Sequence, residues 1–329
     1  MKKSAIQCVA FVCALMLLSQ VSMAGSLEPN APPASTMKTL NEIEPRIPIP
    51  ASDTLATTYH ITQSGSYYLQ GDRQCQGAYG ISVEANNVTI DLCGFSLIGN
   101  SALYGIYMNG RSNVEVRNGT VRNFSTGIGE ESTSGIGHRV IGVRAVSNAN
   151  SGIHLVGKGH EVRGCTASNN ATSASGSTAY GIYVGPCSTV TGNMDSNNGT
   201  FSTVAFYGLF AGAGSTISGN TVCNNCTSAN YGWLYGLMGG TGSTIAGNTV
   251  YNNGTSATAA TIFAALEAGA GSTVIGNTVY NNGISATGGT IYGIFLDGNN
   301  LVDQNTAFNN NGTNMNHPVS CVYGTNLAP

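Results

Sequence analysis

STVTGNMDSNNGT (188–200), STISGNTVCNNCT (215–227), STIAGNTVYNNGT (243–255) and STVIGNTVYNNGI (272–284) are four copies of one pattern. Their shared asparagines, Asn193, Asn220, Asn248 and Asn277, are followed by Asn305, and the intervals run from 27 to 29 residues. A fixed period of that length marks an array of stacked supersecondary units. Within each copy, a Ser-Thr-Val-Thr piece and a Thr-Val-Tyr piece alternate apolar with polar residues, as half-buried strands must. Gly and Asn lie between them, and both tolerate positive φ at tight corners.

Working outward, a third apolar piece precedes each copy. It is Gly-Ile or a relative, at Gly80, Gly105, Gly127, Gly152, Gly181, Gly208, Gly236, Ala264 and Gly293, with intervals of 22 to 29 residues. The later intervals are longer because they carry insertions such as TSATAAT. No segment has a convincing helical period, and the Leu spacings of a leucine-rich repeat are missing. A propeller blade needs about 40 residues for its four strands. The pattern predicts an all-β chain: a single-stranded right-handed parallel β-helix, or solenoid, of about nine three-strand coils with an N-terminal cap. Coils spaced at ~4.8 Å would make a rod roughly 40 Å long.

Stacking predicts columns of equivalent residues. One core column is Ile90, Val116, Val140, Val162, Val190, Ile217, Ile245, Val274 and Val302. Another is Ile81, Ile106, Ile128, Ile153, Ile182, Leu209, Leu237, Ala265 and Ile294. A polar column, Asn148, Asn169, Asn197, Asn224, Asn252, Asn281 and Asn309, suggests a ladder of side-chain amides at one corner, with a one-residue slip at Asn148.

The ends differ from the repeat. Lys2 and Lys3, the apolar run Ala5 to Leu18 and Ser22-Met23-Ala24 predict a signal peptide over 1–24, cleaved before Gly25. Residues 25–56 are Pro-rich and read as a leader or linker. Tyr59 to Leu69 alternates and reads as the cap of a β-helix spanning 57–317, with 318–329 as a tail. A secreted, periplasmic or cell-surface location follows, with membrane contact only through the cleaved signal peptide.

Composition narrows the partners. Only 8% of residues are charged, Gly reaches 45 and 41% are hydrophobic. Apolar residues in register argue against disorder. Net charge is −3 and no basic patch stands out, which argues against nucleic acid. Arg163 is the last basic residue; beyond it only Asp195, Glu267, Asp297 and Asp303 carry charge. Seven cysteines follow the signal peptide, an odd number, and their pairing is not legible. An oligomer stays open.

Gly65-Ser-Tyr-Tyr-Leu, NNVTIDLCGFSLIG from Asn86 and NVEVRNGTVRNF from Asn113 resemble exported right-handed parallel β-helix repeat proteins of the pectin-lyase-like superfamily. MKTLNEIEPRIPI from Met37 resembles the leader of bacterial members. The resemblance covers residues 37 to 317. It implies the fold and leaves function open, because this fold hosts lyases, hydrolases, epimerases, adhesins and inert spacers.

Two outward columns flank the core valine. One holds Thr89, Glu115, Arg139, Glu161 and Thr189; the other holds Asp91, Arg117, Ile141, Arg163 and Thr191. Asp91, Glu115, Arg117, Arg139, Glu161 and Arg163 are therefore the catalytic candidates. Such a cluster could serve an acidic-polysaccharide lyase, epimerase or hydrolase, with Arg holding a uronate. The same alternation of sign is what a plain ion-pair ladder would select. It also opposes calcium, and the resemblance brings no paired-Asp, His-Gly or Arg-x-Lys motif with it.

Tyr251, Tyr280 and Phe308 share an outward position on consecutive coils and are the sugar-stacking candidates. Tyr107, Tyr183, Phe210 and Phe295 share another. Tyr79, Tyr104, Tyr180, Tyr207, Tyr235, Phe263 and Tyr292 have core-facing parity and read as structural. Cys223-Asn-Asn-Cys226 sits in a corner and reads as a local disulfide or as ladder substitutions, and Cys93 and Cys165 as buried corner residues. His138, His154 and His160 fall at different angular positions, so no metal site is assigned. No cofactor motif is present: there is no P-loop, dinucleotide fingerprint or Gly-x-Ser-x-Gly elbow. The leading expectation is a carbohydrate-associated binding or surface protein without catalysis. The alternatives are an enzyme on an acidic glycan, and a passive spacer or oligomeric fibre.

Overall fold

A computed structural model describes residues 46–100, 103–172, 178–199, 205–227, 232–256 and 262–329. The stretch 1–24 expected to be a signal peptide, and most of the expected leader 25–56, lie outside the described residues. Among the described residues, the strands form one 21-stranded and one 11-stranded sheet. A coil gives two short strands to the larger sheet, such as Thr189–Thr191 and Met194–Ser196, and one to the smaller, such as Ala205–Ala211. Neighbouring coils pair in parallel and in register: Val190 lies beside Ile217, and Ile217 beside Ile245.

The core column from Ile90 to Val302 pairs rung by rung as the repeat predicts, and every member is fully buried. Each such side chain contributes roughly 1.5–3 kcal/mol on burial. The other core column holds its register up to Leu237, which pairs with Leu266 and not with Ala265. Ala265 then takes the glycine position and Ala264 the tyrosine position. The segment Phe263-Ala-Ala-Leu lacks the glycine that marks the register elsewhere, so alternation alone misplaces it by one residue. Glycine is favoured at that mark because a Cβ on Gly208 would lie 2.5 Å from the Gly236 carbonyl oxygen of the next coil.

The ladder extends past both predicted ends. The nine landmark coils account for nine strands of the smaller sheet; Tyr59–Ile61 precedes them and Thr313–Met315 follows. Tyr59–Ile61 pairs with Tyr79–Val83, and Gly65–Leu69 pairs with both Ile47–Ile49 and Val88–Asp91. Tyr59 to Leu69 thus pairs in register with the following coil, Tyr59–Ile61 being the first described strand of the smaller sheet. Ile47–Ile49 and Ser52–Ala56 already belong to the larger sheet, although composition assigned them to a leader. Proline is tolerated there because Pro48 sits on the first described rung, where a missing N–H breaks no ladder between coils. Val322–Tyr323 and Leu327 likewise pair with the coil beneath, so the segment 318–329 is no free tail.

Three corners are laced by side chains. At one, each Asn-Asn pair divides its work. The first member (Asn169, Asn197, Asn224, Asn252, Asn281, Asn309) turns the chain with φ between 52° and 57°. The second carries the ladder, Asn148 to Asn170, Asn198, Asn225, Asn253, Asn282 and Asn310. The predicted column was therefore one residue early everywhere except Asn148. At the next corner Asn193, Asn220, Asn248, Asn277 and Asn305 form a second ladder. Asn220 Oδ1 accepts both the Asn193 N–H and its amide, and Asn220 Nδ2 donates to Val190 O at 2.9 Å. Asn220→Ala should cost about 1–3 kcal/mol through the buried groups it strands. Asn252→Gly, at a positive-φ position, should stay within about 0.5 kcal/mol of the parent. Urea unfolding of both variants checks this, and equal losses would refute the division of labour.

Candidate functional site

The charged face is built by the larger sheet over the early coils. Glu115 pairs in register with Thr89 and Arg139, Arg139 with Glu161, and Arg117 with Asp91 and Ile141. All six candidates therefore share one face, in the two predicted columns. Arg117 Nε lies 3.1 Å from Asp91, and its Nη1 lies 3.3 Å from Glu115. Arg139 reaches Glu115 at 2.7 Å and Arg163 reaches Glu161 at 2.9 Å. Arg46, from the segment read as a leader, adds a contact of 3.5 Å to Asp91. Burial alone would raise the Asp91 pKa, but the Cys93 N–H, Arg117 and Asn118 outweigh it and hold the carboxyl below its usual range. Each of the three acids thus has a guanidinium against it.

Tyr251, Tyr280 and Phe308 are half-buried and stacked along the helix axis, with centroids 5.1 and 5.3 Å apart and planes within 6°. The Tyr251 hydroxyl is engaged by the Cys223 thiol.

The smaller sheet holds a wider aromatic surface. In Tyr-Gly-Ile-Tyr the glycine and isoleucine are both buried while the two tyrosines stay half-buried outside, as at Tyr180 to Tyr183. Two consecutive inward residues put both tyrosine columns on one outer face. The predicted core-facing parity of Tyr79, Tyr104, Tyr180, Tyr207 and Tyr292 is therefore corrected; Tyr235 stands in the same column but is buried, and Phe263 leaves the column for the core. Tyr180, Tyr207 and Tyr235 stack at 5.3 and 4.9 Å, and Tyr183 stacks on Phe210 at 4.9 Å. Across the columns, Tyr207 meets Phe210 edge to face at 5.5 Å. Past Phe210 the second column continues as Met238, Glu267 and Phe295. Burial, with Asp297 nearby, pushes the Glu267 pKa up to about 7 against the pull of a hydrogen bond with the Tyr235 hydroxyl.

The residues that sequence reasoning missed lie at the third corner. His138 and His160 are not at different angles: their rings stack at 5.1 Å, within 4° of parallel, and both are buried. The Val114 N–H donates to His138 Nδ1, the His138 N–H to His160 Nδ1, and the His160 N–H to Ser188 Oγ. The serine ladder Ser188, Ser215, Ser243 and Ser272 continues this line. Both Nε2 atoms face the fully buried Glu130, at 3.4 Å for His138 and 3.2 Å for His160. The Gly157 N–H donates to Glu130 Oε1 at 2.8 Å. The three side chains could be taken for a metal site. The donor set does not fit one: each Nδ1 already accepts a backbone N–H, so each Nε2 carries the ring proton and lacks a lone pair for an ion. Both Nε2 atoms face the Glu130 carboxyl at ion-pair distance without an aligned hydrogen bond, and Glu130 Oε2 has no hydrogen-bond partner. No signal in the repeat marked Glu130, which is not part of any copy.

His154 lies apart, on the aromatic face, 4.9 Å from Tyr183. Cys75, Cys93, Cys165, Cys187, Cys223 and Cys321 form no disulfide. Cys226 takes the positive-φ corner held by Gly199 and Gly254, and Cys223 aligns with Tyr251, so neither is a ladder rung. Cys165 is buried, and its N–H donates to Asn193 Oδ1, as its corner placement requires. Cys93 is exposed at φ 51°, which corrects its buried assignment.

No protein-family model and no curated protein sequence matches the chain. Two solved structures share its fold. The Dettilon tailspike protein aligns with a TM-score of 0.60 at 16% identity, over 85% of this chain and 60% of that one. The A-module of the Azotobacter vinelandii mannuronan C-5 epimerase AlgE6 aligns with a TM-score of 0.52 at 13% identity, over 85% of this chain and 80% of that one. This chain therefore spans less than two thirds of the tailspike's length. The fold is the right-handed parallel β-helix.

Proposed function

We propose that this is an exported, carbohydrate-associated surface protein that binds a glycan on the outer face of its smaller sheet, without catalysis. The observation that carries the reading is the double column of half-buried rings, Tyr180, Tyr183, Tyr207 and Phe210, on two consecutive coils. Rings repeated at the coil spacing give a sugar chain a series of apolar contacts along one line. Folds shared with a tailspike and with an epimerase named for mannuronan are compatible with a polysaccharide partner. Catalysis is left out because the acids of the charged face are each held by an arginine. An ion-paired carboxylate is a poor proton acceptor.

The test is a panel of soluble polysaccharides assayed for binding and for new reducing or unsaturated ends. Binding without end formation is expected. The double variant Tyr207→Ala, Phe210→Ala should weaken it about tenfold or more, or about 1.4 kcal/mol. End formation that is lost in Arg117→Ala or Arg139→Ala while the fold persists would replace this reading with an enzyme on the charged face. Loss of binding in Tyr251→Ala, Tyr280→Ala instead would move the site to the larger sheet.

A further inference from the structure

We propose that the glycan taken by this face is uncharged, and that Glu267, anchored by Tyr235, is the polar group that fixes it at the C-terminal end of the aromatic surface. The inference deepens the glycan reading and rests on it. Tyr235 and Tyr292 are separated by one coil on which Ala264 stands in the tyrosine column. One ring is thus missing from the column, and on the same coil the second column carries Glu267 in line with Met238 and Phe295. From Tyr180 to Phe295 the aromatic surface is interrupted on this one coil, and a carboxyl stands at the interruption.

Glu267 is only 6% exposed, and the Tyr235 hydroxyl holds it. The other titratable groups acting on this site among the described residues are Asp297 and Tyr207. None of these is a cation, and from Gly164 to Pro329 the sequence contains no Lys or Arg. A uronate or sulfated chain lying here would meet Glu267 and Asp297 with no compensating positive charge. A polyol meets no such penalty. A carboxyl that spends part of its time protonated offers a sugar hydroxyl both a donor and an acceptor, which is the pairing a vicinal diol needs.

The experiment is calorimetric titration of the full chain with neutral cellohexaose, mannohexaose and maltohexaose, and with anionic hexagalacturonate and hexamannuronate. At least one neutral hexasaccharide should bind, and both anionic ones should bind at least thirtyfold more weakly. Glu267→Ala should weaken the neutral ligand about tenfold, whereas Glu267→Gln, which keeps a donor and an acceptor, should stay within threefold. Thermal unfolding of both variants separates this from lost folding. An anionic hexasaccharide that binds as tightly as the neutral ones, and releases in the Tyr207→Ala, Phe210→Ala variant, would overturn the neutral-ligand inference while leaving the face as a glycan site. Unchanged affinity in Glu267→Ala would remove Glu267 from it. Failure of all five to bind, or binding indifferent to Tyr207 and Phe210, would overturn the face and the inference together.

Discussion

Asp195→Val should stabilise the protein at pH 7 by an amount on the order of 4 kcal/mol. Asp195 is fully buried in the column Ala167, Asp195, Val222, Val250. Its Oδ1 accepts a hydrogen bond from Asn198 at 3.2 Å, and its Oδ2 has no partner. Burial pushes its pKa up from 3.8 to about 8, and the amides of Asn198 and Asn225 pull back too weakly to cancel that. A raised carboxyl pKa means that the folded state holds the proton more tightly than the unfolded one. Its contribution therefore worsens steadily as pH rises from about 4 to about 8, and is constant outside that window. Valine fits because the next two coils carry valine in the same column, against the same row of glycines. Asn198 keeps its bonds to Ala167 O and Asn225 Oδ1 in the variant. Asp195→Asn is the control: it should match the parent at pH 4 and exceed it at pH 8. A parent whose unfolding free energy is level between pH 4 and 8 would defeat the argument.

The same residue shows how far the sequence could be read. Methionine-aspartate-serine stands at 194–196 where the other copies read threonine-valine, yet Asp195 was read only as one of the few charges past Arg163, and burial reveals its place in a core column. The fold was legible because the Val190 and Asn193 landmarks repeat without insertion between them, and a fixed spacing forces a fixed register. Register was lost where the mark itself was substituted, at Ala264-Ala265. It was also lost where two adjacent asparagines could each be the rung; there only the backbone φ distinguishes the turning residue from the bonding one. The charged columns were legible for the same reason as the core. The aromatic face was misread because strict alternation was assumed across Tyr-Gly-Ile-Tyr, where the glycine lets two inward residues follow one another. Glu130 was not legible at all. It lies in an early coil outside the four clear copies, and its partners His138 and His160 come from the two following corners.

Removing that carboxyl should do the most damage of any single change at the corners. Glu130→Ala strands the buried Gly157 N–H and removes the carboxylate that both buried imidazoles face, and should cost on the order of 3 kcal/mol. Because each coil is supported mainly by its neighbours, the loss should be read locally, as faster amide exchange at His138, Gly157 and His160 than at Asn248 or Asn277. Burial alone would raise the Glu130 pKa, but His138, His160 and Gly157 outweigh it and bring it from 4.5 down to about 2. A lowered carboxyl pKa stabilises the fold fully above about 4.5, and that stabilisation, on the order of 3 kcal/mol, drains away as pH falls toward 2. Asp195 and Glu267 act with the opposite sign above pH 4. Stability should therefore peak near pH 4–5 and fall on both sides, for two separable reasons. Glu130→Gln should flatten the acid limb alone, and Asp195→Asn the neutral limb alone. An acid limb that survives in Glu130→Gln would mean that the cluster is not what fails in acid. Chelator should leave the whole profile unchanged, since the imidazole nitrogens that face Glu130 carry protons; a loss of stability on chelation would reassign the cluster to an ion.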